Sequence, residues 1–230
     1  MKNRLYIACL LIGMVSFGCE KDNFEGPDST FYGQLIDKKT GEPLQQEISD
    51  GSRLYYIEQG WGDNPQIQNM VIKSDGSFRN AMMFSGDYEF ILNRGNYVPL
   101  DTIAVVLRKG DNHRIFEVTP YLRVIEPEII KEGRTIVAKF RLEQVASAMA
   151  YRISLFVHSH ADVSNRLNIV NRTIELNRSL NGIESFQISI NLDEYSSTLR
   201  EGASYYFRIG AQSHAGESRY NYAESVLIKI

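Results

Sequence analysis

An all-β chain folded as two consecutive β-sandwich domains is what this sequence predicts, and three observations predict it. From Phe31 onward, short runs alternate apolar and polar residues at the two-residue period of a strand, with Gly, Asp, Asn and Pro clusters between them. No amphipathic stretch longer than two helical turns interrupts that pattern. Pro120 and Pro127 bracket a point where one set of strands stops and another starts, and proline cannot donate to a central ladder. Composition agrees: of 230 residues, 43% are hydrophobic and 23% charged, which excludes a disordered chain. The formal net charge of −3 argues against a nucleic-acid partner, because phosphate neutralisation needs a clustered basic surface.

Taken in order, residues 1–18 come first. Lys2 and Arg4 open the chain, and the uncharged run Leu5 to Phe17 is too short to span a bilayer, which needs about 20 apolar residues. It matches the core of a secretory signal. Gly18 then precedes Cys19 and the polar stretch Glu20-Lys21-Asp22-Asn23. This arrangement resembles a bacterial lipoprotein signal, in which the cysteine thiol is acylated and becomes the new N-terminus. Cys9 lies in the segment such processing removes, so Cys19 would be the single remaining cysteine, and no internal disulfide accounts for it. The expectation is a protein anchored through Cys19 and not spanning the membrane. Residues 19–29, with Gly26-Pro27, read as a flexible tether.

Residues 30–123 form the first expected sandwich. Phe31-Tyr32-Gly33-Gln34-Leu35-Ile36-Asp37 leads into the turn Lys38-Lys39-Thr40-Gly41-Glu42-Pro43-Leu44, and Ser74-Asp75-Gly76-Ser77-Phe78 and Gly86-Asp87-Tyr88-Glu89-Phe90 follow. The Asp-Gly and Gly-Asp pairs have the chemistry of hairpin turns, since those residues tolerate positive φ. The series resembles the carboxypeptidase-regulatory, or prealbumin-like, sandwich. That resemblance implies structural turns and no catalytic machinery.

Residues 124–230 form the second. Ile136, Ala138, Phe140 and Leu142 share one face, as do Tyr151, Ile153, Leu155 and Val157, and then Phe186, Ile188, Ile190 and Leu192. Leu199-Arg200-Glu201-Gly202-Ala203-Ser204-Tyr205, followed by Phe207, Ile209 and Ala211, resembles the fibronectin type III pattern. That likeness implies that Tyr205 packs at a corner and bonds backbone.

The whole order resembles a two-domain Bacteroidetes lipoprotein family of uncharacterised function, associated with polysaccharide-utilisation loci. The resemblance implies an outer-membrane, surface-facing lipoprotein, with an outer-membrane transporter complex as partner. Glu20 and Asp22 resemble the surface-export signal of such bacteria. Asp28-Ser29-Thr30 and Asp101-Thr102-Ile103 match the short O-glycosylation pattern of that phylum.

For chemistry, no Gly-x-Ser-x-Gly elbow, His-Glu-x-x-His helix or phosphate-binding glycine loop occurs, so neither catalysis nor a cofactor is expected. His158, His160 and Asp162 fall at alternate positions and would share one face if the strand continued, the basis of an alternative reading as a metal-dependent enzyme. The better lead is binding. Trp61, the single tryptophan, has glycine on both sides in Glu58-Gln59-Gly60-Trp61-Gly62-Asp63-Asn64, a loop in which a flat ring stands beside amide and carboxylate groups. Sugars present apolar C–H faces ringed by hydroxyls, so Trp61, Asp63 and Asn64, with Tyr56 upstream, are expected contacts for a polysaccharide or oligosaccharide. Tyr220 and Tyr222, in the segment Arg219-Tyr220-Asn221-Tyr222 read as a loop, form a comparable set. The remaining alternative is a structural or adhesive spacer that docks a partner protein.

Overall fold

The computed structural model describes residues 25–60, 62, 64–215 and 219–230. They form two β-sandwiches in series, with no α-helix among the described residues.

The first contains β1 (Ser29–Asp37), β2 (Arg53–Glu58), β3 (Ile67–Val71), β4 (Ser77–Met83), β5 (Gly86–Ile91), β6 (Ile103–Leu107) and β7 (Gly110–Val118). They build a three-stranded sheet, β4-β1-β7, against a four-stranded one, β3-β2-β5-β6. Strict alternation along β1 sends Phe31 and Leu35 inward and leaves Tyr32 and Gln34 half-buried on the outer face. Phe31 stacks on Phe90 of the facing sheet at 4.5 Å between ring centroids, and Phe78 and Phe116 close the cluster. β1 runs parallel to β7, the last strand of the domain, from Ser29 opposite Gly110 to Asp37 opposite Val118. Gly33 allows this close approach, because a Cβ there would collide with the Arg114 carbonyl and the Phe78 ring.

Here the structure corrects the hairpin expectation. Gly76 adopts φ +79°, and the Asp75 carboxylate accepts a hydrogen bond from the Ser77 amide at 2.9 Å, so the turn itself is real. It carries the chain from one sheet to the other, however, and Gly86-Asp87 likewise opens β5 after a crossing from β4. Turn residues encode a reversal, whereas the partner strand is chosen by which apolar faces must meet.

The second sandwich contains β8 (Leu122–Glu132), β9 (Thr135–Gln144), β10 (Ala150–His158), β11 (Val170–Arg178), β12 (Ile183–Asn191), β13 (Ser204–Ser213), β14 (Tyr220–Tyr222) and β15 (Val226–Lys229), with a 3₁₀ turn at Leu192–Tyr195. The sheet β12-β9-β8 faces β11-β10-β13-β14, and β15 also pairs with β13. Its core comes from the alternating faces read in the sequence: Ile136, Ala138, Phe140 and Leu142, then Ile153, Leu155 and Val157, then Phe207, Ile209 and Ala211, all buried. Tyr151 leaves the expected face at a bulge between Ala150 and Arg152 and stays outside the core. The Tyr205 hydroxyl accepts from the Arg200 amide at 3.0 Å and donates to the Thr198 carbonyl, the corner role that the resemblance implied.

Between β7 and β8 lie only residues 119–121. The second strand set therefore opens at Leu122. Pro127 sits inside β8, at a bulge between Ile125 and Glu128 where Glu126 takes φ +49°. β8 is an edge strand, which is where a residue without an N–H can be accommodated.

Candidate functional site

Two concave regions matter. At the end of the first sandwich remote from the second, the approach to β1, the β2–β3 loop and the β4–β5 turn come together. The Asp28 amide donates to the Met83 carbonyl, and the Asp28 carboxylate accepts from the Ser85 amide at 2.7 Å and from its hydroxyl at 3.0 Å. The Ser85 amide in particular holds the Asp28 carboxyl below the usual carboxylate range. These segments enclose a depression of about 390 Å³ lined by Glu25, Asp28, Glu58, Gln59, Phe84 and Ser85. Its wall includes Gln59 and Gly60, where the loop that carries Trp61 begins. Gly60 and Gly62 adopt φ of +94° and +76°, a left-handed backbone on both sides of Trp61 that favours glycine. Asn64 is exposed on the same loop. Trp61 and Asp63, like Cys19, lie outside the described residues.

The three tyrosines of the expected contact set are buried, so their rings are not presented to a ligand as that expectation required. Tyr56 is 6% exposed on the inner face of β2; its hydroxyl donates to Gln68 and accepts from Asn80. Tyr220 and Tyr222 belong to strand β14 and not to a loop. They pack with Phe156 and Val163 in a small core of their own. Tyr220 shares a hydrogen bond with Ser154 and packs edge-on against Phe156 of its own sheet, whereas Tyr222 is closed over by Glu47 of the first domain.

That junction is the second concave region. Arg208, 1% exposed on β13, donates to the carbonyls of Ala223, at 2.8 Å, and Gln46, at 2.9 Å, and to the Gln45 side chain at 3.0 Å. Its guanidinium lies 4.5 Å from the Tyr222 ring centroid, and burial pushes its pKa down to about 10. The Tyr222 hydroxyl donates to the Glu47 carboxylate at 2.6 Å. The Asn96 amide donates to the Tyr220 carbonyl, and that of Asn221 to the Asn96 carbonyl. Arg123 of β8 reaches back to Asp37 of β1 at 2.5 Å and also pairs with Glu143. Beside this pair opens a cleft of about 410 Å³, walled by Pro43, Leu44, Pro120, Val124 and Ile125 with Arg123 at its polar side.

His160 and Asp162 come within 3.5 Å of each other, but His158, His160 and Asp162 do not converge on a common point. β10 ends at His158, so the alternation on which their common face depended stops there. The His158 Nδ1 accepts from the His160 amide at 2.9 Å, and the His160 Nδ1 from the Asp162 amide at 3.2 Å. The Asp162 carboxylate accepts from Ser74 of the first domain. Among the described residues, no group of three His, Cys, Asp or Glu is arranged to hold a metal. Of the two glycosylation matches, Ser29 is 3% exposed with its hydroxyl bonded to the Arg108 carbonyl, whereas Thr102 is exposed.

Sequence reasoning missed the polar set around the first depression, because Asp28, Glu58 and Ser85 are distant along the chain. It also missed the Arg208 clasp. The only local signal was an arginine between Phe207 and Ile209, which reads as an ordinary outward position on a strand.

Comparisons with known proteins place this architecture. Residues 29–119 match the family described as "Protein of unknown function (DUF3823) N-terminal domain", and residues 122–227 match its "Domain of unknown function (DUF3823_C)". Among solved structures, a Bacteroides uniformis protein named a "putative carbohydrate binding protein" is 30% identical, with a TM-score of 0.82 over 89% of this chain and all of that one. A DUF3823 family protein from Parabacteroides merdae is 18% identical, with a TM-score of 0.74 over 89% of this chain and all of its own. One from Bacteroides ovatus is 24% identical, with a TM-score of 0.70 over 88% of this chain and 99% of its own. A search of curated proteins returned no match. With both of its domains matched, the chain belongs to the DUF3823 family.

Proposed function

We propose that this is a non-catalytic, carbohydrate-binding lipoprotein, held to the outer membrane through Cys19 and acting at the cell surface beside a polysaccharide transporter. The observation that carries the binding is the 30% identity to the Bacteroides uniformis protein named for carbohydrate, over the full length of that chain. The depression of about 390 Å³ supports it: carboxylate, amide and hydroxyl groups converge beside the loop that holds the single tryptophan. The anchor rests on the sequence alone, on the apolar run ending at Gly18-Cys19.

The test is a binding screen of the purified chain against plant, host and microbial polysaccharides, with Trp61→Ala beside the wild type. Binding is expected to at least one polysaccharide without its turnover, and to be lost in the variant. Incorporation of labelled palmitate that disappears in Cys19→Ala checks the anchor in the same preparation. A second reading, a spacer that docks a partner protein, draws on the open edge strand β3, where Ile67 is 61% exposed and Val71 46%. Silence across the whole screen would favour it.

A further inference from the structure

The domain junction carries a second, smaller pocket that neither the sequence motifs nor the family description assigns. It is formed by the loop Ser49-Asp50-Gly51, by Arg53 and Tyr55 of β2, by Arg94 after β5, and by Arg219 of the second domain, just before β14. We propose that this pocket is an anion subsite that takes the carboxylate or sulfate group of an acidic glycan, a specificity that rests on the carbohydrate-binding function above.

Three features carry the proposal. The first is charge. Among the described residues lining the pocket, Asp50 is the single carboxylate against three guanidiniums, in a chain whose overall charge is negative. The second is geometry. Arg53 is steadied by donating to the Ile48 carbonyl at 2.9 Å, the Arg94 guanidinium lies 5.9 Å from the Tyr55 ring centroid, and Arg219 is ion-paired with Asp50. Arg166 pairs with the same carboxylate from outside the pocket at 3.1 Å. Partial burial works against ionisation of Asp50, but hydrogen bonds from Arg219 and Arg166 outweigh it and hold its carboxyl below the usual range. The third is size. A volume of about 120 Å³ is less than a third of that of either larger cleft, a size suited to one charged group. Planar guanidiniums suit both carboxylate and sulfate oxygens, since they donate in forked pairs.

The experiment titrates the full chain with oligogalacturonate, a sulfated oligosaccharide, a neutral oligosaccharide and inorganic sulfate. Arg53→Gln and the exposed Arg94→Gln are the site variants. Arg79→Gln, on β4 of the opposite sheet, controls for nonspecific attraction of polyanions. At least one acidic oligosaccharide should bind more tightly than the neutral one and than free sulfate. Each site variant should weaken it about tenfold or more, and the control should not. The subsite is overturned if neither acidic oligosaccharide is preferred, if both site variants bind like the wild type, or if free sulfate binds as tightly as the oligosaccharide. Trp61-dependent binding of the neutral oligosaccharide with no acidic preference would overturn the subsite and leave the carbohydrate function standing. Absence of binding by every sugar would overturn both.

Discussion

Glu47 sits 6% exposed at the junction, with one carboxylate oxygen accepting the Tyr222 hydroxyl at 2.6 Å. Burial pushes its carboxyl above the ordinary value of 4.5, and the hydrogen bond from Tyr222 offsets only part of that. A raised native pKa means that the folded state holds this proton more tightly than the unfolded state does. Its stabilising contribution is therefore complete below about pH 4.5 and is lost as pH rises through the raised native value. Glu143 behaves with the opposite sign: the hydrogen bond from Lys39, joined by that from Arg123, holds its carboxyl low. Its contribution is present above the ordinary carboxylate range and is lost on acidification. The two signs separate cleanly in one variant. Glu47→Gln should remove the decline in urea midpoint on the upper side of pH 4.5 and leave the acid-side loss in place; a variant that keeps the wild-type profile would refute the assignment. Tyr205 was legible in the sequence at this scale, because a corner tyrosine sits in a local pattern. Glu47 was not, because its burial comes from strand β14, 175 residues away along the chain.

At the scale of elements, β1 shows both what alternation reveals and what it cannot. Phe31, Leu35 and the outward Tyr32 and Gln34 follow directly from the two-residue period. The partners of β1 do not: it pairs antiparallel with β4 and parallel with β7, the latter starting some eighty residues later. Gly33 is the position where that long-range pairing constrains the residue type. Gly33→Ala should destabilise the protein by about 3 kcal/mol, the upper end of overpacking costs, because both obstacles, the Arg114 carbonyl and the Phe78 ring, lie within packed sheet. Denaturant unfolding measures it, and a loss under about 0.5 kcal/mol would show that β7 can shift without cost. The same logic explains the turns at Asp75-Gly76 and Gly86-Asp87, where the reversal was legible and the change of sheet was not.

Across the whole molecule, the two sandwiches are joined by residues 119–121 and clasped by buried polar contacts. Such an interface is expected to make the two domains unfold as one cooperative unit. Hydrogen exchange of the β1 amides follows the unfolding of the first domain, and that of the β10 amides follows the second. The two transitions should coincide in the wild type. Arg208→Ala strips the guanidinium from the Gln46 and Ala223 carbonyls and should lower stability by about 3–5 kcal/mol and separate the transitions. Coincident, unshifted transitions in the variant would show that the clasp does not couple the domains.

The sequence by itself determined the all-β class, the two-sandwich order, the buried faces of the second domain and the glycine-flanked setting of Trp61. All of these depend on periods of two residues or on single backbone torsions, interactions a chain makes with its near neighbours. Tertiary structure alone decided which strands share a sheet, why Tyr56, Tyr220 and Tyr222 are buried, and which charges meet around Arg208 and in the arginine-lined pocket. Those outcomes come from surfaces closed by segments tens to more than a hundred residues apart, and burial of that kind leaves no periodic trace in the sequence.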